Sequence, residues 1–176
     1  MFLWIGCKLP ADYESEIRHL CLQKNEVLGL DTVAFSLPQH ISLKISFDSP
    51  CTEQITEYLK VFFSHHAPFS VRICGTERIG KILWLTVEEN AILQQLHARL
   101  DQQLEAFFGI AQHPFDKAFA FHSTLFMGED QEKVEQMEKA LAAYPFAREL
   151  MVDTVLLGTS ETGNAGSYQV IQEIKL

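Results

Sequence analysis

Two short patterns in the sequence each place a histidine and a hydroxyl side chain two residues apart. The first is HISL, which contains His40 and Ser42, and the second is HSTL, which contains His122 and Thr124. Histidine ionises near neutral pH, so a neutral and a protonated imidazole can work together as general base and general acid. Hydroxyl groups donate hydrogen bonds to phosphate oxygens. The two patterns therefore suit an in-line displacement at phosphorus, a reaction that two histidines can catalyse without a metal ion.

Both patterns lie in apolar runs that predict β-strands. Alternate residues of a strand point to the same face of the sheet. His40 and Ser42 are therefore expected to share a face, with Lys44 behind them as a candidate to balance charge on a bound phosphate. In the second strand Met127 has the opposite parity to His122, so we expect its side chain in the core.

The elements predicted around the two motifs occur twice, in the same order. A helix at 11–30 precedes the first motif strand, a second helix and a hairpin; a helix at 89–109 begins the same series around the second motif. This order predicts a duplicated helix-strand-helix-hairpin unit, with copies at about 11–87 and 90–175. We expect an α+β fold forming one bilobal domain over residues 1–176. Two antiparallel sheets would face each other across a central cleft, with the helices outside and one motif on each side.

The composition limits the class of protein and of ligand. With 47% hydrophobic residues, the 176-residue chain can fill one core or two lobes that share an interface. Its 14 basic and 23 acidic residues give a net charge of -9. A protein that coats long nucleic acid or DNA needs a basic surface, so this charge argues against that class. It leaves an RNA end or a small nucleotide as the expected ligand. We separately expect the protein to be a monomer.

The N-terminus and the cysteines indicate where the protein works. The apolar run in MFLWIGCKLP is only seven residues long, and we interpret it as a first strand, not as a signal peptide or membrane span. Cys7, Cys21, Cys51 and Cys74 form no C-x-x-C pair and have no metal-like spacing with histidine. We therefore predict free thiols in a reducing cytoplasm, no membrane partner, and no metal or other cofactor.

The paired motifs resemble those of a known superfamily. HISL and HSTL, 82 residues apart, resemble the H-x-[ST]-hydrophobic signatures of the two-histidine phosphoesterase superfamily, in its bacterial 2'-5' RNA ligase-like, cyclic phosphodiesterase branch. GKILWLTVEENAILQQLHARL resembles the segment between the motifs in that branch, and VDTVLLGTSETGNAGSYQVIQEIKL resembles its C-terminal ending. The resemblance extends over nearly the whole chain.

The resemblance implies both a fold and an activity. The fold is bilobal with pseudo-twofold symmetry, and the activity is metal-free hydrolysis of 2',3'-cyclic phosphates to 2'-phosphates. Related members also join or cleave 2'-5' linkages in RNA. Carried over to this sequence, the resemblance makes His40 the proton donor and His122 the proton acceptor. Ser42 and Thr124 would bind the phosphate.

The sequence departs from the pattern of the branch at several positions. Ser42 stands where threonine is usual, and Phe121 stands where proline commonly precedes the second histidine. Phe126 and Met127 follow the second motif, where an arginine is often found. The hydroxyl of Ser42 preserves the expected chemistry, whereas the missing arginine leaves the substrate open.

Other functions and other roles remain open from the sequence. The protein could hydrolyse 2'-5' oligonucleotides or the cyclic phosphate of a metabolite, or it could bind nucleotides without catalysis. Two proton-transfer groups favour an enzyme, because a binding module needs only phosphate donors. Trp84 could stack on a base, although a core position is favoured. His65 and His66 are expected to cap a helix, His97 to be structural, and His113 to lie in a loop.

Overall fold

The protein contains eight strands and four α-helices in a computed structural model that describes residues 1–176, apart from the side chains of residues 117 and 118. The strands are β1 (Phe2–Lys8), β2 (His40–Asp48), β3 (Phe69–Ile79), β4 (Ile82–Val87), β5 (His122–Met127), β6 (Arg148–Val152), β7 (Thr154–Ser160) and β8 (Gln169–Lys175). The helices are α1 (Ala11–Leu28), α2 (Thr52–Phe63), α3 (Ala91–Phe108) and α4 (Gln131–Leu141). Short 3₁₀ helices lie at Val33–Phe35 and Pro114–Ala118.

The strands form two four-stranded antiparallel sheets, which confirms the predicted α+β class. The sheet that carries the first motif has the order β2-β1-β7-β8 and is called the His40 sheet. The sheet that carries the second motif has the order β5-β4-β3-β6 and is called the His122 sheet. The motif strands β2 and β5 are edge strands of their sheets and pack against each other.

Each sheet combines strands from both predicted repeats. The hairpin β3-β4 of the first repeat pairs with β5, and the hairpin β7-β8 of the second repeat pairs with β1. The hairpin expected at the end of the second repeat, over residues 147–176, contains a further strand: β6 leaves it and joins the edge of the His122 sheet. The strand exchange makes β1 and β4 equivalent, because each lies directly beside a motif strand.

Helix α3 forms where its periodicity predicts. The side chain of Asn90 caps the helix by accepting hydrogen bonds from the amides of Ile92 and Leu93 over 3.0 and 3.1 Å. Gly109 ends the helix in a left-handed conformation with φ of 67°, which glycine adopts at low cost. The helical spacing of its apolar residues predicts one buried stripe of Ile92, Leu93, Leu96, Leu100 and Leu104; the four leucines are buried, whereas Ile92 is exposed. This capped helix packs against β2 and supports the first motif from behind.

A β-bulge follows each motif and changes which residues face the core. β2 has one extra residue between Ser42 and Lys44 relative to β1, and β5 has one extra residue between Thr124 and Phe126 relative to β4. A bulge reverses the alternation of side chains beyond it. The parity prediction is therefore wrong on both strands: Lys44 is buried, while Met127 is only partly buried and lines a cavity.

The helices cover the outer parts of both sheets and complete the core. α1 packs against α4, which lies on β3 and β4, whereas α2 packs against β8. All four cysteines are free thiols, as predicted; Cys7 and Cys21 lie in the core, whereas Cys74 is exposed. Among the described residues, no helix combines the length and apolar character needed to cross a membrane.

Candidate active site

The two motifs are held together by a buried hydrogen bond between their neighbours in the sequence. The hydroxyl of Ser123 donates to the side-chain oxygen of Gln39 over 2.9 Å. Ser123 directly follows His122, and Gln39 directly precedes His40. Both side chains are almost inaccessible to solvent, at 1% and 2% exposed. The bond therefore fixes the start of β5 against the start of β2.

Both imidazoles are oriented by the same local hydrogen bond. Nδ1 of His40 lies 2.8 Å from the carbonyl oxygen of Pro38, and Nδ1 of His122 lies 2.7 Å from that of Ala120. A carbonyl oxygen can only accept, so each Nδ1 must carry the proton and donate it. The remaining nitrogen, Nε2, is thus the position that can gain or lose a proton. This arrangement suits a neutral imidazole for proton removal and a protonated one for proton delivery.

Each histidine also stacks on a tryptophan from the neighbouring strand. Trp4 of β1 stacks on His40 with ring centroids 4.2 Å apart, and Trp84 of β4 stacks on His122 at 3.7 Å. The interplanar angles are 28° and 15°. Trp84 was favoured for the core, and that interpretation is wrong, because it is partly exposed on the same face as His122. Trp4 was not identified from the sequence as a site residue.

Two glycines make room for the stack on His40. A Cβ atom at Gly6 would lie 2.9 Å from both His40 and Trp4. A Cβ atom at Gly158, in β7, would lie 2.1 Å from Nε1 of Trp4. Carbon atoms in ordinary contact are about 3.5–4.0 Å apart. Any larger residue at Gly158 would therefore displace the indole. The two glycines are therefore part of how the first motif is built.

Burial changes the proton affinity of both histidines in the same direction. Loss of hydration lowers the pKa of His40 below its usual value, although the Pro38 carbonyl partly opposes this effect. The positive charge of His122 lowers the pKa of His40 further. Burial likewise lowers the pKa of His122, opposed by the Ala120 carbonyl. The two imidazoles are thus close enough to influence each other, and each favours its neutral form.

A cavity of about 340 Å³ lies beside the first motif. His40, Ser42 and Thr124 line it, so the structure brings together three of the residues predicted from the two motifs. His122 precedes Thr124 by two residues on the same face of β5. The cavity is bounded by side chains from β1, β2, β5, the 3₁₀ helix Val33–Phe35 and the loop 161–168.

Lys44, which was predicted to contact the phosphate, forms ion pairs with two aspartates inside the protein. Its Nζ lies 2.6 Å from Oδ1 of Asp101 in α3 and 2.5 Å from Oδ2 of Asp116. The three side chains are at most 2% exposed. The ammonium group of Lys44, which was predicted to balance the charge of a bound phosphate, is therefore paired with two buried carboxylates instead. The physical reason is the β2 bulge, which turns Lys44 from the face of Ser42 into the interior.

The same buried cluster contains the group of residues that could coordinate a cation. His97, Asp101 and Asp116 offer ligand atoms within 4.8 Å of one another, the only such group of three among the described residues. Nδ1 of His97 lies 2.7 Å from the carbonyl oxygen of Leu43. The ammonium of Lys44 lies between the two carboxylates, where it acts as their counter-ion. His97 and Asp101 are four residues apart on one face of α3, but the cluster could not be predicted because Lys44 and Asp116 reach it from other elements.

The remaining histidines have local roles. Nδ1 of His66 lies 2.9 Å from the carbonyl oxygen of Phe62 at the end of α2, in agreement with the predicted cap. His113 caps the 3₁₀ helix Pro114–Ala118, where its ring accepts a hydrogen bond from the amide of Phe115. Neither residue lines the cavity beside the first motif.

Comparisons with known proteins identify the sequence family and the fold. The sequence model of the 2'-5' RNA ligase superfamily matches residues 14–164. The structure of E. coli LigT complexed with 3'-AMP is 20% identical, with a TM-score of 0.69 over 99% of this chain and 97% of that chain. A crystal structure described as a phosphoesterase is 18% identical, with a TM-score of 0.67 over 99% and 97% of the two chains.

The structural matches concern the fold of the chain. The apo form of E. coli LigT is 17% identical, with a TM-score of 0.63 over 99% of this chain and 96% of that chain. At such identities the shared property is the arrangement of strands and helices. No curated protein gives a significant sequence match. The match to the superfamily therefore rests on the sequence model, and the fold agrees with it.

Proposed function

The chain belongs to the 2'-5' RNA ligase superfamily, and from this premise we propose that it is a phosphodiesterase that opens 2',3'-cyclic phosphates to 2'-phosphates without a metal ion. The observation that carries the proposal is the paired geometry of His40 and His122. Each ring is held by a carbonyl at Nδ1 and by an indole face, which leaves Nε2 for proton transfer. Hydroxyl groups from both strands accompany the two rings.

The proposed reaction is a balanced displacement at phosphorus. A water oxygen attacks the phosphorus of the cyclic phosphate while the bond from phosphorus to the 3' oxygen breaks. Nε2 of the neutral imidazole takes the proton from the water, and Nε2–H of the protonated imidazole delivers its proton to the 3' oxygen. The product carries a 2'-phosphate and a free 3'-hydroxyl. The histidines end with exchanged protonation states and return to the starting states through solvent.

The resemblance to the superfamily assigns the two roles. It makes His40 the proton donor to the leaving oxygen and His122 the acceptor of the proton from water. Both rings have their Nδ1 proton fixed on a carbonyl, so either ring is chemically able to serve in either role. Each proton transfer contributes about two to four powers of ten to the rate.

The phosphate would be held by hydroxyl groups and by the imidazolium. Ser42 and Thr124 line the cavity and can donate hydrogen bonds to the two nonbridging oxygens. Lys44 has no part in the proposed mechanism, because its ammonium is already paired with Asp101 and Asp116. The protonated histidine is then the group that supplies positive charge to the transition state.

The same geometry serves a ligase-type reaction when the attacking group changes. If the 5'-hydroxyl of a second RNA replaces water, the product is a 2'-5' linkage. The acid and the base keep their roles, and the same bond to the 3' oxygen breaks. Hydrolysis and joining therefore differ only in which nucleophile occupies the position of the water. Cleavage of a 2'-5' oligonucleotide to a cyclic phosphate is the reverse of the joining reaction.

Hydrolysis of the four 2',3'-cyclic mononucleotides in the presence of EDTA tests the proposal. The products are separated into 2'-phosphates and 3'-phosphates, because the mechanism breaks only the bond to the 3' oxygen. We expect turnover to the 2'-phosphate that is insensitive to EDTA. Binding of the nucleotides without turnover would favour a non-catalytic binding module. Loss of activity in EDTA and its return with zinc would contradict metal independence.

A further inference from the structure

The cavity beside the histidines has walls that are largely apolar and uncharged. Its apolar side chains come from five parts of the chain: Trp4 of β1, the segment before the first motif (Val33, Ala34 and Leu37), Ile45 after it, Met127 at the end of β5, and Ala165 of the loop 161–168. The polar side chains that line it are mainly the hydroxyl groups of serine, threonine and tyrosine. Walls of this kind favour an uncharged organic group that is partly apolar.

The cavity offers almost no positive charge to a ligand. Lys44 is the only lysine or arginine among the described residues that line it, and two carboxylates neutralise its ammonium. Phe126 and Met127 follow the second motif, where the resembling branch often has an arginine, and of the two Met127 lines the cavity. The protonated histidine therefore supplies the available positive charge. The rest of the protein, with a net charge of -9, repels further anionic groups.

The loop 161–168 packs against β2 and against the 3₁₀ helix Val33–Phe35 along one side of the cavity. The hydroxyl of Tyr168 is hydrogen bonded to the hydroxyl of Ser46 in β2. A Cβ atom at Gly166 would lie 2.5 Å from Cγ2 of Val33, so the loop 161–168 lies directly on the segment that carries Val33. Gly166 has φ of 81°, a conformation that favours glycine. These contacts give the cavity a wall on this side, built from backbone and from small or hydroxyl side chains.

The charge of the site matches a ligand with one phosphate. A 2',3'-cyclic phosphate is a phosphodiester with one negative charge, which one imidazolium neutralises. A 5'-phosphate or a neighbouring phosphodiester adds charge for which the cavity has no partner. We propose that the substrate is a single nucleoside-sized group bearing one cyclic phosphate and no other phosphate, and that Met127 helps to exclude longer RNA. This inference rests on the proposed function and narrows its substrate class.

Three substrates distinguish this class from RNA ends. They are cytidine 2',3'-cyclic phosphate, the same nucleotide with a 5'-phosphate, and a four-nucleotide RNA that ends in a 2',3'-cyclic phosphate. We expect kcat/KM to be highest for the first and at least about fivefold lower for each of the others, because unpaired like charges repel. The value for the first substrate should change little with salt, since its binding releases few counter-ions.

A gain-of-function variant tests the role of Met127. Met127→Arg places a cation in the cavity wall, and Met127→Gln is the matched control of similar length without charge. We expect the arginine variant to raise kcat/KM for the RNA relative to the mononucleotide by about fivefold or more. The kcat/KM of this variant for RNA should then fall as the salt concentration rises. One added phosphate contact predicts a slope of about -0.7 for log kcat/KM against log salt concentration. The glutamine variant should leave the ratio of the two substrates unchanged.

The outcomes separate this inference from the proposed function. If the intact protein prefers the RNA and its rate falls steeply with salt, the substrate inference is wrong and the proposed function stands. If Met127→Arg leaves the ratio of the two substrates unchanged, Met127 does not exclude RNA. If none of the three cyclic phosphates is hydrolysed, the proposed function itself is contradicted, and the inference falls with it.

Discussion

Trp84 and His122 stack almost in parallel, with ring centroids 3.7 Å apart and an angle of 15° between the planes. The indole belongs to β4 and the imidazole to β5, so the contact crosses two neighbouring strands of the His122 sheet. With Nδ1 fixed on the carbonyl of Ala120, the stack leaves the ring little freedom to rotate. Trp4 holds His40 in the same way in the other sheet.

Replacement of Trp84 tests whether the stack positions the catalytic ring. Nε1 of Trp84 is buried without a hydrogen-bond partner, so Trp84→Phe removes no hydrogen bond and keeps an aromatic face. We expect its kcat to stay within about twofold of the intact protein. Trp84→Leu loses an aromatic contact of about 0.5 to 1.5 kcal/mol, and kcat should fall about two- to tenfold with little change in KM. Equal activity of the two variants would contradict a positioning role.

Removal of Lys44 should destabilise the protein strongly. Lys44→Met leaves the buried carboxylates of Asp101 and Asp116 without their counter-ion, which costs about 3 to 5 kcal/mol in comparable buried pairs. The free energy of unfolding is measured by urea denaturation. Lys60→Met is the matched control, because the Lys60–Glu57 pair is 42% and 73% exposed, and its loss should cost less than about 1 kcal/mol.

A triple variant shows whether charge is the reason for that loss. If Asp101 and Asp116 are also changed to asparagine, the cluster has no uncompensated charge, and we expect part of the lost stability to return. A Lys44→Met variant as stable as the intact protein would mean that the buried ion pairs do not form.

The pH dependence of kcat/KM follows from the lowered pKa values of both histidines. Burial is the main cause in each case, and the usual pKa of histidine is near 6.5. The rate should fall as the pH rises through the pKa of the acid, and fall again as the pH drops through that of the base. Because both values lie below the usual one, the maximum should occur below about pH 6.5. A maximum above about pH 7 would contradict this assignment, and so would a flat profile.

The residues that follow simple strand alternation could be predicted from the sequence. His40 and Ser42, and likewise His122 and Thr124, precede the bulges, and each pair lies on one face of its strand. Beyond the bulge, alternation gives the wrong face, as the burial of Lys44 shows. A bulge depends on pairing with a neighbouring strand, so the sequence of one strand alone does not reveal it.

Other parts of the site depend on contacts between distant segments. β1 is apolar along its length and buried at five consecutive positions, so no alternation marks Trp4 as a cleft residue. Trp4 and Trp84 are 80 residues apart, close to the 82-residue spacing of the two motifs. This spacing is the one feature of the sequence that could have indicated equivalent roles for the two tryptophans. Asp101 lies on the buried stripe of α3, where its role is evident only once Lys44 is known to reach it. The exchange of strands between the repeats likewise requires the tertiary structure.

The central claim is that His40 and His122 act as one catalytic pair. It is tested most directly by the rate of cyclic mononucleotide hydrolysis for His40→Ala, His122→Ala and the double variant, with His19→Ala as an exposed control on α1. We predict that each single variant loses about a hundredfold to ten-thousandfold in kcat. The double variant should be little worse than either, because the two rings serve one step, and His19→Ala should keep full activity. Near-normal turnover by either single variant would contradict the paired mechanism.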